Sequence, residues 1–152
     1  MKLFAVLLAS GLAMAAAAAD LPDIKTVYLL PMSGGLDQYL AVRLTTGAVL
    51  QVVTDPEKAD AVFTDRIGSN LEQSLNDLYA PKGKEEPNKI GDFSRPTMQP
   101  LSRGKGSLFL VDRKTRVVVW SMYAVPKNSQ GDEMNRLAQR IVAKLEKDRK
   151  GK

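Results

Sequence analysis

The 152-residue chain has no cysteine, no histidine and a single tryptophan. Without cysteine no disulfide can staple the fold, so packing alone must hold it even in an oxidising compartment. Without histidine the usual acid–base group at pH 7 and the commonest nitrogen ligand for metals are both missing. These absences exclude Ser-His and Cys-His nucleophile pairs and most zinc sites. Past Asp20 no run is long and apolar enough to cross a bilayer, which predicts a soluble mature chain.

What is present begins with an export signature. Lys2 is a short basic start, residues 3–14 are an apolar run, and Ala17-Ala18-Ala19 offers small residues for cleavage before Asp20. Residues 1–19 therefore read as a secretory signal peptide, which predicts a periplasmic or secreted protein. The alternative is an uncleaved N-terminal anchor. Residues 20–152 suffice for one α/β domain with a real core.

The net charge of +5 falls to +4 when Lys2 leaves with the leader, and it is concentrated at one end. From Arg136 onward there are seven basic residues against two acidic ones. The pI of about 9.5 thus describes a basic C-terminal end on a near-neutral body. Export argues against nucleic acid as a partner. It favours an envelope protein or an anionic envelope component such as lipid headgroups or acidic polysaccharide.

The stretch at 107–124, SLFLVDRKTRVVVWSMYA, organises the rest. It reads as two strands, 107–111 and 117–124, joined by the polar turn 112–116. Leu108 and Leu110 alternate with Phe109 and Val111, so the first strand is apolar on both faces and belongs inside a sheet. Upstream, residues 24–30, 49–53 and 61–64 read as strands. Helices are expected at 36–46, with Leu36, Leu40 and Leu44 on one stripe, and at 69–79, with Leu71, Leu75 and Leu78. Ser69 and Glu72 have capping-box spacing at the start of the latter. Residues 80–106 carry four prolines and four glycines and read as a long loop. A last helix is expected at 132–147, with Met134, Leu137, Ala138, Ile141 and Leu145 as its apolar face. The order is β-α-β-β-α-loop-β-β-α, a mixed sheet of about five strands with three helices.

Three pieces of this chain together resemble a known family. They are the first strand with a helix ending in Leu-Thr-Thr-Gly-Ala, the Lys58-Ala59-Asp60-Ala61-Val62 step into a short strand, and the Leu110-Val111-Asp112…Thr115…Val119-Trp120-Ser121 hairpin before a closing helix. The pattern is similar to small bacterial envelope domains of the CsgG/TolB amino-terminal type and related small lipoproteins of unknown function. The chain departs from it at Arg116, where the turn would carry glycine, in lacking a lipidation cysteine, and at residues 80–106, which have no counterpart. The resemblance implies an envelope binding or assembly role, not catalysis.

Each candidate site has a plainer account beside it. Lys105 in Gly104-Lys105-Gly106-Ser107 suggests a phosphate loop, but Gly106 stands where serine or threonine is needed, and a strand follows. Asp55, Glu57, Asp60 and Asp65 can offer oxygens to calcium; without EF-hand spacing they read as turns and caps. Ser33-Gly34-Gly35 can present amides to an anion, or simply turn the chain from strand to helix. Trp120, Tyr123 and Phe109 can line a pocket, but their strand setting favours ordinary core. In the last helix Arg136, Arg140, Lys144 and Lys147 form a stripe at i, i+4, i+8 and i+11, apart from the apolar face. A solvated face is the bland account of it. With Arg113, Lys114 and Arg116 of the turn, these cations are the candidate anion or partner surface, each contributing only ~1 kcal/mol near an anionic surface.

The expectation is a non-enzymatic exported envelope protein, a binding or assembly module for another envelope component, with no catalytic, metal or cofactor site. The alternative is a periplasmic carrier of a small ligand or lipid, which needs an enclosed apolar cavity of several hundred Å³. A carboxylate hydrolase would need two facing acids in one cleft.

Overall fold

Two-residue alternation of apolar side chains builds a five-stranded sheet. Its strands are β1 (Thr26–Leu29), β2 (Gln51–Val52), β3 (Ala61–Thr64), β4 (Ser107–Asp112) and β5 (Val118–Tyr123), in the order β2-β1-β3-β4-β5. β1 runs parallel to both β2 and β3, with Thr26 opposite Gln51 and Val27 opposite Ala61. β3 and β4 are antiparallel, Phe63 facing Leu110, and so are β4 and β5, Leu110 facing Trp120. Among the described residues, three α-helices accompany the sheet: α1 (Leu36–Thr46), α2 (Ser69–Tyr79) and α3 (Gly131–Lys150). This is the expected mixed α/β class in the expected order. The structure is a computed structural model that describes residues 20–81 and 106–151. The leader at 1–19 and most of the predicted loop at 80–106, including Lys105, lie outside those residues.

The helices take opposite faces. On one, Leu36, Leu40 and Leu44 of α1 and Met134, Leu137, Ala138, Ile141, Val142 and Leu145 of α3 pack on Val27, Phe63, Leu108, Leu110 and Trp120. The four-residue spacing of the α1 leucines is what gives that helix a single buried stripe. Phe63 meets Trp120 edge-on, with ring centroids 6.0 Å apart, and the indole N–H donates to Asp148 at 2.9 Å. Burying each such side chain stabilises the fold by roughly 1.5–3 kcal/mol. On the other face, Leu71 and Leu75 of α2 pack on Val62 and Val111, with Tyr28, Leu30, Tyr79 and Phe109 at the margin. β3 is buried at all four positions, and β4, flanked by β3 and β5, is the inner strand its double-faced apolarity predicts.

The passage from β2 back to β3 is short for a parallel connection, which usually needs a dozen residues or more. It works because β2 is only two residues long, so little length has to be retraced. Asp60 locks the return. Its carboxylate accepts the Lys25 and Thr26 amides at 3.0 and 2.9 Å, while its own amide donates to the Thr26 carbonyl and hydroxyl. Arg149, near the end of α3, donates to the carbonyls of Ile24 and Val49 and ties that helix to the chain leading into β1 and β2.

One local expectation is corrected. Ser69 does not cap α2: it is the first helical residue, Gly68 (φ 102°) takes the cap position, and no side chain caps the end. Glu72 is drawn away to Arg116, 3.5 Å distant. A tertiary partner therefore holds the glutamate that a capping box would use.

Candidate functional site

The turn between β4 and β5 is built on Asp112, whose Oδ1 accepts the amides of Lys114 and Thr115 and the Thr115 hydroxyl at 2.7–2.9 Å. This Asx-type turn leaves Arg116 at φ 61°, a conformation that favours glycine. Of the three turn cations, two point back onto the α2 side. Arg113 donates to the Glu57 carbonyl at 2.6 Å and lies 5.4 Å from the centre of the Tyr79 ring. Arg116 reaches Glu72 and Asn76. Lys114 is exposed.

The four α3 cations are all exposed, on the helix that covers the opposite face. Arg140 pairs with Glu133 at 3.3 Å and Lys144 with Asp148 at 2.6 Å. Arg136 and Lys147 make no ion pair among the described residues. The turn set and the helix set thus lie on opposite sides of the sheet and form two separate basic regions.

The acidic residues act as clips and caps. Asp55 accepts the Glu57 amide at 3.0 Å, Asp60 holds β1, and Asp65 accepts the Ser33 amide at 2.8 Å. Asp37 takes the Met32 amide at 3.1 Å. The Ser33-Gly34-Gly35 turn, with both glycines at positive φ of 68° and 69°, therefore has neighbouring amides already occupied by the chain's own carboxylates. An added anion would have to displace them. Among the described residues no group of three acidic or other ligating side chains could hold a metal. A shallow cleft of about 270 Å³ is lined by Pro22, Gly47, Ala48, Val49, Glu146, Arg149 and Lys150; its charged rim does not suit an acyl chain.

The aromatic trio separates. Trp120 is core, Phe109 is half-buried beside α2, and Tyr123 is 72 % exposed. The core expectation fails for Tyr123 because, among the described residues, β5 is an edge strand and α2 packs over β1, β3 and β4 instead. Val117, Val118 and Val125 are 46 %, 41 % and 47 % exposed, so four of the large exposed apolar side chains sit within nine residues of chain. The pairing of Phe109 with Ser121 and Ser107 with Tyr123 places Ser121 and Tyr123 on the α2 side of the sheet. The sequence did hold a signal for this surface. Ser121 interrupts an otherwise apolar strand, and no element after β5 can flank it except a helix.

No family model, no curated protein and no solved structure matches the chain. Among the described residues no helix is long and apolar enough to cross a membrane.

Proposed function

We propose that this is a non-enzymatic exported module that binds another component of the cell envelope and serves in its assembly. The observation that carries the reading is β5, which among the described residues is an edge strand with apolar side chains exposed on it, beside strands that are flanked or very short. Large apolar side chains exposed at both ends of one strand, Val117 and Val118 at its start and Tyr123 and Val125 at its end, are the kind of surface that interaction sites use. The residue types support it: no histidine or cysteine is present, and Asp55, Asp60 and Asp65 are engaged with backbone amides instead of facing one another across a cleft. Export rests on the leader pattern of residues 1–19.

The test is site-specific photo-crosslinking in cells that export the chain. A photoreactive residue at Tyr123 is compared with one at Val42, which is 62 % exposed on α1. One defined envelope protein, recovered from position 123 and not from position 42, is the expected result. No product, or the same mixture from both positions, would overturn the reading.

A further inference from the structure

We infer that β5 is the docking edge for an extended segment of another protein, an apolar strand flanked by acidic residues, which joins the sheet beside β5. The inference rests on the binding-module reading above and gives that partner a shape and a charge.

The backbone supplies the template. Ala124 N–H donates inward to the Gly106 carbonyl at 2.7 Å. Alternation along an antiparallel ladder then turns the N–H and C=O of Ser121 and Tyr123 away from β4. Edge strands are usually blunted by a charge, by proline or by being very short. β2, the opposite edge, is two residues long. β5 has six residues, no charged side chain and no proline. The register shift at Leu110/Val111 disturbs only its first half, and no strand among the described residues pairs with the outer edge of the half bearing Ser121 and Tyr123. An added strand would set its own apolar side chains beside Tyr123, the cross-strand contact that stabilises sheets.

Charge selects the occupant. From Arg113 to Gly131 the chain carries four cations, Arg113, Lys114, Arg116 and Lys127, and no acid. They stand beyond both ends of β5; Arg113 and Arg116 are already engaged by the Glu57 carbonyl and by Glu72, so Lys114 and Lys127, one at each end, carry most of the selection. A second copy pairing antiparallel through β5 would bring Lys127 of each chain towards Lys114 and Arg116 of the other, opposing like charges at both ends. An acidic-flanked strand meets complementary charge there instead.

The probes are two blocked peptides of alternating valine and threonine, one with two glutamates at each end and one with two lysines. Amide hydrogen exchange and backbone amide shifts are read on the full chain. The glutamate peptide is expected to slow exchange at Ser121 and Tyr123, to bind roughly tenfold more tightly than the lysine peptide, and to weaken as salt is raised. Ser121→Pro removes an outward N–H and no ladder bond, and abolishes the effect. Tyr123→Asp, at an exposed position that leaves the core intact, weakens it as well. Four results would overturn the inference. Ser121 and Tyr123 already protected in the dilute free chain would mean the chain covers its own edge. Protection that appears on raising protein concentration would mean a second copy does. Equal binding of both peptides would remove the acidic partner. No protection at about 1 mM of either peptide would remove strand addition; a crosslinked partner at position 123 would still leave the binding-module reading standing.

Discussion

The two faces of the sheet are closed to different degrees. Among the described residues, the face under α1 and α3 has twenty buried residues in one cluster; the face under α2 has four. Geometry explains the difference. Five strands about 4.8 Å apart span roughly 19 Å between the outer axes, which two helices about 10 Å across cover and one does not. α2 sits over β1, β3 and β4, and on the α2 side of β5 Val118 and Tyr123 remain exposed. The lesson is a division of labour: one face holds most of the buried core, and the other leaves part of the sheet exposed among the described residues. Regions with few buried apolar contacts are also those that open most easily.

The largest effect that would break this comparison is in the cores. Phe63, fully buried on the α1/α3 face, should cost about 4 kcal/mol when changed to alanine, read from urea unfolding. Leu75, the central leucine under α2, should cost about 2–3 kcal/mol, because the smaller cluster can collapse more freely around the gap. Equal losses would mean that the faces are equally consolidated. Native-state hydrogen exchange sharpens the point without mutation. The amides of α2 should open at a lower free energy than those in the middle of α3. A common opening energy would make the domain one cooperative unit.

A smaller effect follows from Asp60. Burial pulls its pKa up, but the amides of Thr26 and Lys25, the Thr26 side chain and the charge of Arg113 outweigh this and hold the carboxyl below its ordinary value. A group with a lowered folded pKa contributes stability above its unfolded value, about 3.9, and loses it as pH falls through the folded one. Asp60→Asn should therefore be less stable than the parent at pH 7, by no more than about 1 kcal/mol for so exposed a residue. The gap should close as pH is lowered from about 4 towards 2 in a series of thermal melts. Tyr79 gives the opposite limb. Burial pushes its pKa up, against the pull of Arg113 and Arg116. The stability this carries is complete below about pH 10 and declines as pH rises towards the folded value. Tyr79→Phe should remove that alkaline decline.

What the sequence made legible was whatever depends on period. The α1 and α2 spans, β3, and the buried stripes of α1 and α3 follow from spacings of 3.6 and 2, and the structure has them as read. The capping box at Ser69 was not legible, because a tertiary contact to Arg116 decides where Glu72 points. Nor was the exposure of Tyr123. A residue in the alternating strand Val118–Tyr123 is core or surface according to what lies over it, and strand order plus helix placement settle that. The candidate cations were legible as residues but not as a surface, since only the fold reveals that α3 and the β4–β5 turn lie on opposite sides. Asp55 was correctly read as a turn and cap residue; Asp60 and Asp65 instead clip backbone amides more than thirty residues away, long-range contacts that local spacing cannot announce.

The smallest effect concerns two residues in the left-handed region, one on each side of the comparison. Ala48, at φ 51°, is exposed and lines the cleft beside Arg149. Arg116, at φ 61°, ends the turn on the α2 side. Replacing either by glycine relieves about 1–2 kcal/mol of backbone strain and returns about 0.4–1 kcal/mol to the unfolded chain as entropy. Ala48→Gly has nothing else to lose and should stabilise by about 0.5–1 kcal/mol. Arg116→Gly also gives up the Glu72 ion pair and the Asn76 contact, together about 0.5–1 kcal/mol, and should come out near zero. The difference between the two variants then measures what the Arg116 side chain contributes to holding α2. Glu72→Ala checks it: it should destabilise the parent by about 0.5 kcal/mol and leave the Arg116→Gly variant unchanged, as expected when two residues act only through each other. If Arg116→Gly stabilises as much as Ala48→Gly does, the arginine contributes nothing to the fold. Its cation would then be free for the partner that β5 is proposed to receive.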